Sequence, residues 1–594
     1  MNLNIRVTWP AWMWVNSTAD IIANLFAELW YDLITDIEYE SRIKWWTNIF
    51  DINISNSRDK FLSKKIDIIL AFNNQSLKKQ IPSLKTDAVI IINKKWIEKL
   101  EKEKILKNTY NILTTEISDK YDNIYLIWIL TKFLSIDLEI ILSKIEEIFK
   151  NKWKEIIEKN QNIVKNIFNS SHPNPLPLGE GVEQKSNLIK INWKFNKKIW
   201  EPNHTIYWNK AIAYWAIKWE LWYYSAYPMT PASTILTEII NSKKVKYLQA
   251  EDEIAVVNSV LWASFTWERA MCWTSGWWFA LMSEAISFAV QTEIPLTIVL
   301  SQRAWPSTWA PTFTEQWDIN YALNPSFGDF NHVVLYPSNM EETYYFSWLA
   351  LNIADKYQTQ VIILMDKQSS ELIATHDKLT VPKVDRWVIL KNPKEDYKRY
   401  EINNTWISPR VEVWTKSWDF IASSYEHDEY WTTNQELENK KLFTEKRLKK
   451  LDNFFEKEWY KWYEYIVYDD SSKSFISDSE SIKKEKLIIT MSFTSYTAKY
   501  FIKNNPEFWL IVIKFLKPLD FRLLDEIKPS PQPSPIGRGS RTKEIIFVEQ
   551  NCSGQLENYI VKEFWLKYIK WLKISNLRKY DLMPFYIEDF EEIK

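Results

Sequence analysis

The sequence predicts an α/β protein built on mainly parallel, doubly wound sheets. Short apolar runs of strand length alternate with amphipathic stretches of helix length over most of the chain, which is the pattern of repeated β-α-β units. Turn residues and helix-start residues bound these runs, and each run is too short to be a buried helix. The length of 594 residues is enough for about four domains with separate hydrophobic cores.

The predicted elements follow one another in this alternating order. The first unit begins with a strand at Asn4–Thr8, a loop rich in tryptophan, a helix from Ser17 to Leu29 and a strand at Asp32–Ile37, and it ends with a long helical stretch over 134–166. The second unit has strands in LWYYSA, KYLQA, ERAMC, LTIVLSQ, HVVLYP and VIILMD. A polar stretch that ends in a basic helical run precedes the last unit, whose strands lie in KLIITMSF, LIVIKFL and EIIFVEQ.

Two proline-rich tracts interrupt the pattern. Both contain P-x-P-[L/I]-G-x-G, at Pro175–Gly181 and Pro533–Gly539, so they resemble copies of one inserted element. Their composition cannot form a core, and we expect solvent-exposed insertions without a catalytic role. The predicted divisions are a first α/β unit over 1–169, a proline-rich linker over 170–191, a second α/β unit over 192–384, a polar connecting segment over 385–484, and a last α/β unit over 485–594 with an insertion over 528–541.

Composition excludes several classes of function. The net charge of −1 is spread along the chain, which argues against binding of nucleic acid. Two cysteines, Cys272 and Cys552, cannot hold an iron–sulfur cluster, and the five histidines share no short zinc-binding motif. The N-terminus lacks the features of a signal peptide, and no apolar run reaches the length of a membrane span. These features predict a cytoplasmic protein.

The most unusual feature of the composition is the ratio of tryptophan to glycine. The chain has 34 tryptophans and seven glycines, and together they make up about 7% of the residues, which is the usual share of glycine alone. The tryptophans also stand where chains need glycine, for example in TWPAWMWV, in the doublet Trp277-Trp278, and in RAWPSTWAPTFTEQWD. We therefore hypothesise that the gene is read with UGA as glycine, and that most letters W denote glycine.

The alternative is a genuinely tryptophan-rich binding module. Stacking platforms for sugars or similar ligands, however, place their aromatic residues at the period of a strand or a helix. Tryptophans beside proline, serine and threonine in turns do not follow either period. An indole at positive φ costs about 1–2 kcal/mol, so a chain with many of them would not fold easily.

Three stretches of the second unit carry candidate chemistry. In YYSAYPMTPASTILTEI a strand ends at Ala226, and we expect Thr230 to cap the next helix, with Pro231 in its first turn. Backbone N–H groups and a threonine hydroxyl at a helix start form a credible seat for a substrate carboxylate. On its own, the motif is equally typical of a simple capped helix after a strand.

The second stretch, KYLQAEDEIAVVNSV, opens a helix with three acids, Glu251, Asp252 and Glu253. Acids at a helix start usually only complement the helix dipole. In a dry crevice, such a carboxylate can instead share a proton with a heterocycle nitrogen, which is what thiamin diphosphate enzymes require beside the aminopyrimidine ring. Both interpretations remain open from this stretch alone.

The third stretch begins with AMCWTSGWW and continues through LTIVLSQRAWPSTWAPTFTEQWD. Read with glycine for tryptophan, Ser275 and Gly276 stand in a bare T-S-G-G-G loop that a cofactor could approach closely. Arg303 follows a strand end, where open α/β sheets bind ligands, and its planar guanidinium suits a carboxylate. Three threonines follow it in the same turn-rich loop, at Thr308, Thr312 and Thr314.

Read in this way, the chain resembles the alpha subunit of 2-oxoacid:ferredoxin oxidoreductases, with a gamma-like unit fused ahead of it. The resemblance covers nearly the whole chain apart from the two proline-rich tracts. The gamma-like features are RVTWPAWMWV and YESRIKWWTNIFDINIS. The alpha-like features are YPMTP, EDEIA, the TSG loop, QRAWPSTWAPT, YEHDEYW at Tyr425–Trp431, and VEQNCSGQL around Gly554.

The resemblance implies a fold and a reaction. The fold is a gamma-type Rossmann-like domain, a pyrimidine-type thiamin diphosphate domain and a transketolase-C-like domain. The reaction converts a 2-oxoacid, coenzyme A and oxidised ferredoxin into acyl-CoA, carbon dioxide and reduced ferredoxin. The implied cofactor residues are Glu253, with Glu251 as the second candidate, and Ser275 and Gly276. The implied substrate residues are Tyr227, Thr230, Arg303, Thr312 and Lys44.

The resemblance also implies a partner. The chain has no G-D-G…N motif for diphosphate and Mg²⁺ and too few cysteines for a [4Fe–4S] cluster. We therefore expect a beta subunit to supply both, in a heterodimer or heterotetramer, and the chain to be inactive alone. The rival within the same chemistry is half of another two-component thiamin enzyme, a transketolase or a 2-oxoacid dehydrogenase. Among the substrates, 2-oxoglutarate is mildly preferred over pyruvate or branched-chain acids.

Overall fold

The computed structural model describes most of the chain and divides it into two compact units. The residues described are 2–594 apart from 11–15, 30, 40–46, 58, 103–109, 116–121, 150–153, 170–203, 232, 307–309, 378, 380–383, 458–462, 470–471, 473, 477–483, 521, 523–541, 565 and 567–571. Both proline-rich motifs and Lys44 therefore lie outside the described residues. The first unit comprises 1–206 and 372–378, and the second comprises 207–371 and 379–594.

A mixed eight-stranded sheet forms the first unit. The strands are β1 (Asn2–Pro10), β2 (Asp32–Glu38), β3 (Thr47–Ser55), β4 (Ile66–Ala71), β5 (Leu84–Asn93), β6 (Asn111–Thr115), β7 (His204–Tyr207) and β14 (Ile373–His376). Their order in the sheet is β6-β5-β4-β1-β3-β2-β14-β7, and β14 comes from far along the sequence to pair with β2. The helices are α1 (Asn16–Glu28), α2 (Asn74–Gln80), α3 (Lys94–Lys102), α4 (Asp122–Phe133), α5 (Leu138–Phe149) and α6 (Lys154–Asn169), with a 3-10 turn at Ile81–Ser83.

The second sheet carries the candidate site. Its strands are β8 (Tyr223–Ala226), β9 (Lys246–Gln249), β10 (Ala270–Ser275), β11 (Leu296–Gln302), β12 (Val333–Leu335), β13 (Gln360–Asp366) and β21 (Phe515–Lys517). Their order is β21-β12-β13-β11-β10-β8-β9, and all neighbouring strands are parallel except the β12 and β21 pair. The helices are α7 (Trp208–Lys218), α8 (Ser233–Ser242), α9 (Glu253–Phe265), α10 (Ser283–Thr292), α11 (Ile319–Leu323), α12 (Met340–Tyr357) and α13 (Lys367–Glu371), with a 3-10 helix at Gly276–Met282.

The burial of this sheet explains its sequence pattern. Every residue of β10, β11 and β13 is buried, because helices cover both faces of a parallel sheet and each strand must then be apolar throughout. All six strands predicted for this unit are present. Parallel strands end at the same edge, so the residues after β8, β10 and β11 lie along one edge of the sheet.

A third sheet lies in the last part of the chain. Its strands are β17 (Tyr463–Asp469), β18 (Ser474–Ile476), β19 (Lys486–Met491), β20 (Phe508–Ile513), β22 (Glu544–Glu549) and β23 (Lys573–Arg578), and β15 (Ile389–Leu390) pairs separately with β16 (Arg410–Val411). The sheet order is β18-β17-β20-β19-β22-β23, so two strands come from the stretch predicted as the connecting segment. The helices are α14 (Leu437–Lys449), α15 (Phe454–Lys457), α16 (Thr494–Asn504) and α17 (Gln555–Glu563), with a 3-10 helix at Ile587–Ile593.

Tryptophan occurs in backbone conformations that favour glycine. Of the fourteen non-glycine residues with positive φ among those described, five are tryptophans, with φ between 58° and 70°. Each carries a steric cost of about 1–2 kcal/mol. None of the five lies in the described parts of the loops of Thr230 and Arg303. They are Trp267, Trp387, Trp406, Trp414 and Trp431.

Several buried tryptophans also lack a partner for the indole N–H. The Nε1 atoms of Trp128, Trp219 and Trp273 are buried, and none has a hydrogen-bond partner among the described residues. A buried donor without a partner costs about 1–3 kcal/mol. At these positions the apolar ring is buried favourably, whereas the buried N–H group is unfavourable because it has no acceptor.

In the part of the chain that the structure describes, every helix is too short or too polar to span a bilayer.

Candidate active site

The candidate site lies at the carboxyl edge of the second sheet. Strand β8 ends at Ala226 and leads to Tyr227 and Thr230, β10 leads to Gly276, and β11 leads to Arg303. Ligands of open α/β sheets bind at this edge, because the loops that leave neighbouring strands diverge there. The topology therefore brings together residues that are up to 76 positions apart, from Tyr227 to Arg303.

The strand-to-helix connection at Thr230 differs from its predicted form. Helix α8 begins at Ser233, so Thr230 is not its cap and Pro231 is not in its first turn. The carbonyl of Pro231 accepts a hydrogen bond from Asn209 Nδ2 at 3.1 Å. The Thr230 carbonyl, rather than a free helix start, faces the neighbouring loop and accepts a hydrogen bond from Arg303 Nη1 at 2.8 Å.

Arg303 is a buried cation at this edge, with 6% of its surface exposed. Burial lowers the pKa of its guanidinium, while the negative charges of Asp318 and Glu253 raise it. Burial also raises the pKa of Asp318 to about 7, and Arg303 opposes this shift. The charge of Arg303 thus interacts with the charges of both Glu253 and Asp318. The sequence alone does not show that these three side chains lie close together.

The three acids before α9 occupy different environments. Asp252 caps the helix, because its Oδ1 accepts a hydrogen bond from the Ala255 N–H at 2.8 Å. Glu253 is 1% exposed and Glu251 is exposed. Burial raises the pKa of Glu253, the charge of Asp252 adds to this rise, and Arg303 opposes it. Of the three acids before α9, Glu253 is therefore the one whose environment favours the protonated form.

Buried polar atoms without partners mark the floor of the site. Glu253 Oε1 and Ser275 Oγ are both buried, and each lacks a hydrogen-bond partner among the described residues. The Thr274 hydroxyl lies beside the Glu253 carboxyl and favours its charged form, which opposes the rise in the pKa of Glu253. Gly276, the residue after Ser275, is buried with φ +58°, which a residue without Cβ adopts freely. Buried polar atoms are normally paired, so this group fits a polar ligand that supplies the missing partners.

The two other predicted substrate residues in the described part of the chain differ in exposure. Thr312 is 2% exposed and lies in the loop that follows Arg303, and Tyr227 is 38% exposed at the end of β8. Trp305 is 56% exposed and packs edge-on against Trp277, with 5.6 Å between the ring centroids. With glycine at both positions, this loop pair would leave its backbone open to a ligand. Among the described residues, no group of histidine, cysteine and acidic side chains could hold a metal ion.

Family comparisons cover both halves of the chain. The family model described as "Pyruvate flavodoxin/ferredoxin oxidoreductase, thiamine diP-bdg" matches residues 215–444. The model described as "Pyruvate ferredoxin/flavodoxin oxidoreductase" matches residues 15–170. The candidate site lies within the first of these matches, which is the thiamine diphosphate-binding domain.

Individual relatives cover almost the entire chain. The 2-oxoacid:ferredoxin oxidoreductase subunit alpha of a Sulfolobus species is 26% identical over 97% of this chain and 94% of its own length. The chain belongs to the 2-oxoacid:ferredoxin oxidoreductase family. A 2-oxoglutarate synthase subunit of Methanocaldococcus jannaschii is 29% identical over 59% of this chain and 88% of its own length.

The fold agrees with this membership. A 2-oxoglutarate:ferredoxin oxidoreductase from Magnetococcus marinus matches the structure with a TM-score of 0.80 and 23% identity over 100% of both chains. The predicted fold class, a gamma-type domain followed by the thiamin diphosphate-binding and C-terminal α/β domains of the alpha subunit, is thus confirmed. The family model that matches residues 15–170 lies at the N-terminus, and a transketolase or dehydrogenase half was not expected to carry such a unit.

Proposed function

We propose that this oxidoreductase subunit acts with a beta subunit to oxidise a 2-oxoacid, with coenzyme A, to acyl-CoA and carbon dioxide, and that the electrons pass to ferredoxin. The observation that carries the proposal is the convergence of Glu253, Thr230 and Arg303 at one sheet edge, beside buried polar atoms that lack partners. The beta subunit would supply Mg²⁺ and the [4Fe–4S] cluster, in a heterodimer or heterotetramer.

Thiamin diphosphate, when bound, would supply a nucleophilic carbon for the 2-oxo group and an electron sink for the loss of carbon dioxide. Glu253 holds a proton at its carboxylate and exchanges it with the aminopyrimidine, because burial favours its protonated form. Ser275 Oγ and the backbone at Gly276 line the cofactor side of the site. Glu251 is exposed and would act only if the cofactor lay outside the buried crevice.

Arg303 binds the carboxylate of the 2-oxoacid in this proposal. Its guanidinium is buried and oriented by the Thr230 carbonyl, so a substrate carboxylate gains a charge-assisted hydrogen bond in a site with little competing water. Thr312, in the loop after Arg303, and Tyr227, after β8, are the proposed further contacts to the substrate. Lys44, the proposed contact to coenzyme A or substrate, lies outside the described residues.

For the substrate, we propose 2-oxoglutarate over pyruvate and branched-chain acids. Two relatives support this choice, since the one from Methanocaldococcus jannaschii is a 2-oxoglutarate synthase subunit and the Magnetococcus marinus structure holds 2-oxoglutarate, coenzyme A and succinyl-CoA. The test is a panel of 2-oxoacids on the reconstituted two-subunit complex, with coenzyme A and methyl viologen as electron acceptor. Faster reduction with 2-oxoglutarate supports the proposal, and dye reduction independent of coenzyme A contradicts it.

Arg303→Ala tests the substrate site itself. A charge-assisted hydrogen bond contributes about 1.5–3 kcal/mol, so the KM for the 2-oxoacid should rise by one to two orders of magnitude. Arg303→Lys retains the charge without the planar fork and should give a smaller rise. An unchanged KM in Arg303→Ala would remove Arg303 from the substrate site.

We also propose that glycine occupies most of the tryptophan positions. The five tryptophans with positive φ and the buried indole N–H groups without partners support this proposal. The alternative, a tryptophan-rich binding module, would present indoles at a regular period on one face. The exposed indoles include Trp262 on α9, Trp305 in a loop and Trp414 in the connecting segment, and they follow no such period.

A further inference from the structure

The loop that follows Arg303 forms hydrogen bonds to the segment that follows strand β22 of the third sheet. Gln316 makes three hydrogen bonds to this segment. Its N–H donates to the Gln550 carbonyl at 2.8 Å, its Oε1 accepts from the Gln550 N–H at 2.9 Å, and its carbonyl accepts from Asn551 Nδ2 at 3.1 Å. Gln316 is fully buried, so these bonds do not exchange with water. The loop is therefore fixed at this point by both its backbone and a side chain.

Gln555 makes a second contact to the same loop, and it uses both ends of its amide. Its Nε2 donates to the Trp317 carbonyl at 2.8 Å, and its Oε1 accepts from the Asn320 N–H at 2.9 Å. Gln555 is 6% exposed, and its own N–H donates to Asn551 Oδ1 at 3.1 Å. We call the contacts that Gln316 and Gln555 make across the two segments the amide clamp.

The C-terminal side of the amide clamp is itself rigid. Glu549, at the end of β22, is fully buried and accepts hydrogen bonds from the N–H groups of Leu556 and Glu557 at 2.8 and 3.1 Å. Its Oε2 also accepts from Asn551 Nδ2 at 2.7 Å. A carboxylate bound at the start of α17 anchors the segment from which Gln555 reaches the loop.

Residues of the clamped loop form hydrogen bonds to the residue before Arg303 and to a residue shortly after it. The Asp318 N–H donates to Gln302 Oε1 at 2.8 Å, immediately before Arg303. The Trp305 N–H donates to Glu315 Oε2 at 3.1 Å, shortly after it. A shift of the clamped residues would therefore move Gln302, Trp305 and the charge of Asp318 together.

We propose that Gln555 is a positioning residue for the 2-oxoacid carboxylate: through the amide clamp it holds the loop that orients Arg303. The inference rests on the proposed role of Arg303 and deepens it, because it assigns a part of substrate binding to the C-terminal domain. Gln555 itself touches neither substrate nor cofactor. Its effect passes through the Trp317 carbonyl and the Asn320 N–H to Asp318, Gln302 and Arg303.

The test measures Gln555→Ala in the two-subunit complex, alone and together with Arg303→Ala. Loss of the two buried hydrogen bonds should raise the KM for the 2-oxoacid by about two- to tenfold, with kcat changed by less than about twofold. In the Arg303→Ala background, Gln555→Ala should add nothing to KM, because the group it orients is gone. Gln555→Met keeps the length of the side chain and removes both hydrogen bonds, so it should raise KM by the same factor as Gln555→Ala.

Gln358→Ala serves as the matched control. Gln358 is 1% exposed, and its Nε2 donates to the Ser408 carbonyl at 2.5 Å, away from the clamped loop. We expect it to lower the melting temperature without changing KM. If Gln555→Ala fails to fold, Gln555→Met provides the same comparison with the side-chain volume nearly retained.

Three results would contradict the proposals, and they are distinguishable. An unchanged KM in Gln555→Ala, with a raised KM in Arg303→Ala, overturns the role of Gln555 alone. An equal rise from Gln555→Ala with and without Arg303 overturns the route through Arg303. An unchanged KM in Arg303→Ala overturns the proposed substrate site and, with it, this inference.

Discussion

Two buried glutamates in the second unit have opposite environments. Glu293, at the end of α10, is fully buried, and Lys446 Nζ lies 2.6 Å from both of its carboxylate oxygens. Lys450 Nζ lies 2.6 Å from its Oε2, and the Arg399 side chain donates to its carbonyl at 3.0 Å. Glu253 is equally buried, but its Oε1 has no hydrogen-bond partner among the described residues.

The difference separates a structural carboxylate from a functional one. Although burial alone would raise the pKa of Glu293, the charges of Lys446 and Lys450 lower it below its usual range. At Glu253 the effect of burial dominates, and the pKa is raised. A buried acid whose partners are supplied within the chain stabilises the fold, whereas one without them is available to a ligand.

The largest expected effect is on activity. Glu253→Gln removes the group that we propose exchanges a proton with the cofactor. General acid–base catalysis contributes about 10²–10⁴-fold, so kcat of the two-subunit complex should fall by at least about 100-fold. The measurement is 2-oxoacid-dependent reduction of methyl viologen.

Glu238→Gln is the control for this variant, since Glu238 pairs with Lys210 at the partly exposed surface of α8 and lies outside the site. Full activity in Glu253→Gln would show that this buried acid has no role in proton transfer.

The next effect is on stability. Glu293→Gln leaves Lys446 and Lys450 buried without their counterion, and breaking a buried ion pair costs about 3–5 kcal/mol. Denaturant unfolding should show this loss. The control is Glu395→Gln, because Glu395 and Lys416 form a pair with 92% and 73% of their side chains exposed, whose contribution should be close to zero. Equal effects of the two variants would contradict the structural role of Glu293.

The two glutamates should also differ in the sign of their pH dependence. The raised pKa of Glu253 means that its contribution to stability is present below the unfolded pKa, about 4.3, and is lost as the pH rises. Glu253→Gln should therefore gain stability relative to the wild type as the pH rises above about 4. The lowered pKa of Glu293 gives the reverse, and the cost of Glu293→Gln should shrink as the pH falls below about 4. Parallel pH profiles for the two variants would contradict the comparison.

The smallest expected effect concerns backbone conformation. Trp414 is 83% exposed with φ +70°, so Trp414→Gly in the tryptophan-containing chain should raise the free energy of unfolding by about 1 kcal/mol. Trp262, on α9, is 73% exposed with helical geometry, and Trp262→Gly should lower it by about 0.5 kcal/mol. Loss of stability in both variants would show that left-handed geometry does not disfavour the indole at Trp414.

The sequence predicted much of the fold because local patterns determine it. The six strands of the second unit, the first helix and the basic helix α14 appear where hydrophobic periodicity placed them. Arg303 and Glu253 could be selected because each follows a strand end. The cap at Thr230 was predicted wrongly, because the residue preferences of T-P do not fix the start of helix α8, which begins at Ser233.

The remaining features depend on pairings that no local pattern encodes. Glu293 lies 153 positions from Lys446, and Gln555 lies 235 positions from Asn320. A glutamate after a helix and a glutamine at the start of a helix are common, so neither residue stands out in the sequence. Their roles follow only from the contacts that the fold creates.

The central claim is that the loops of the candidate site are bare backbone, and mass spectrometric sequencing of peptides from the protein isolated from its own host tests it most directly. We predict glycine at positions 277, 278, 305 and 309, which would leave Ser275, Gly276 and Arg303 accessible to cofactor and substrate. Tryptophan at those positions would contradict the account, because the indoles of Trp277 and Trp305, which are in contact, would then stand in the loops that bind the ligands.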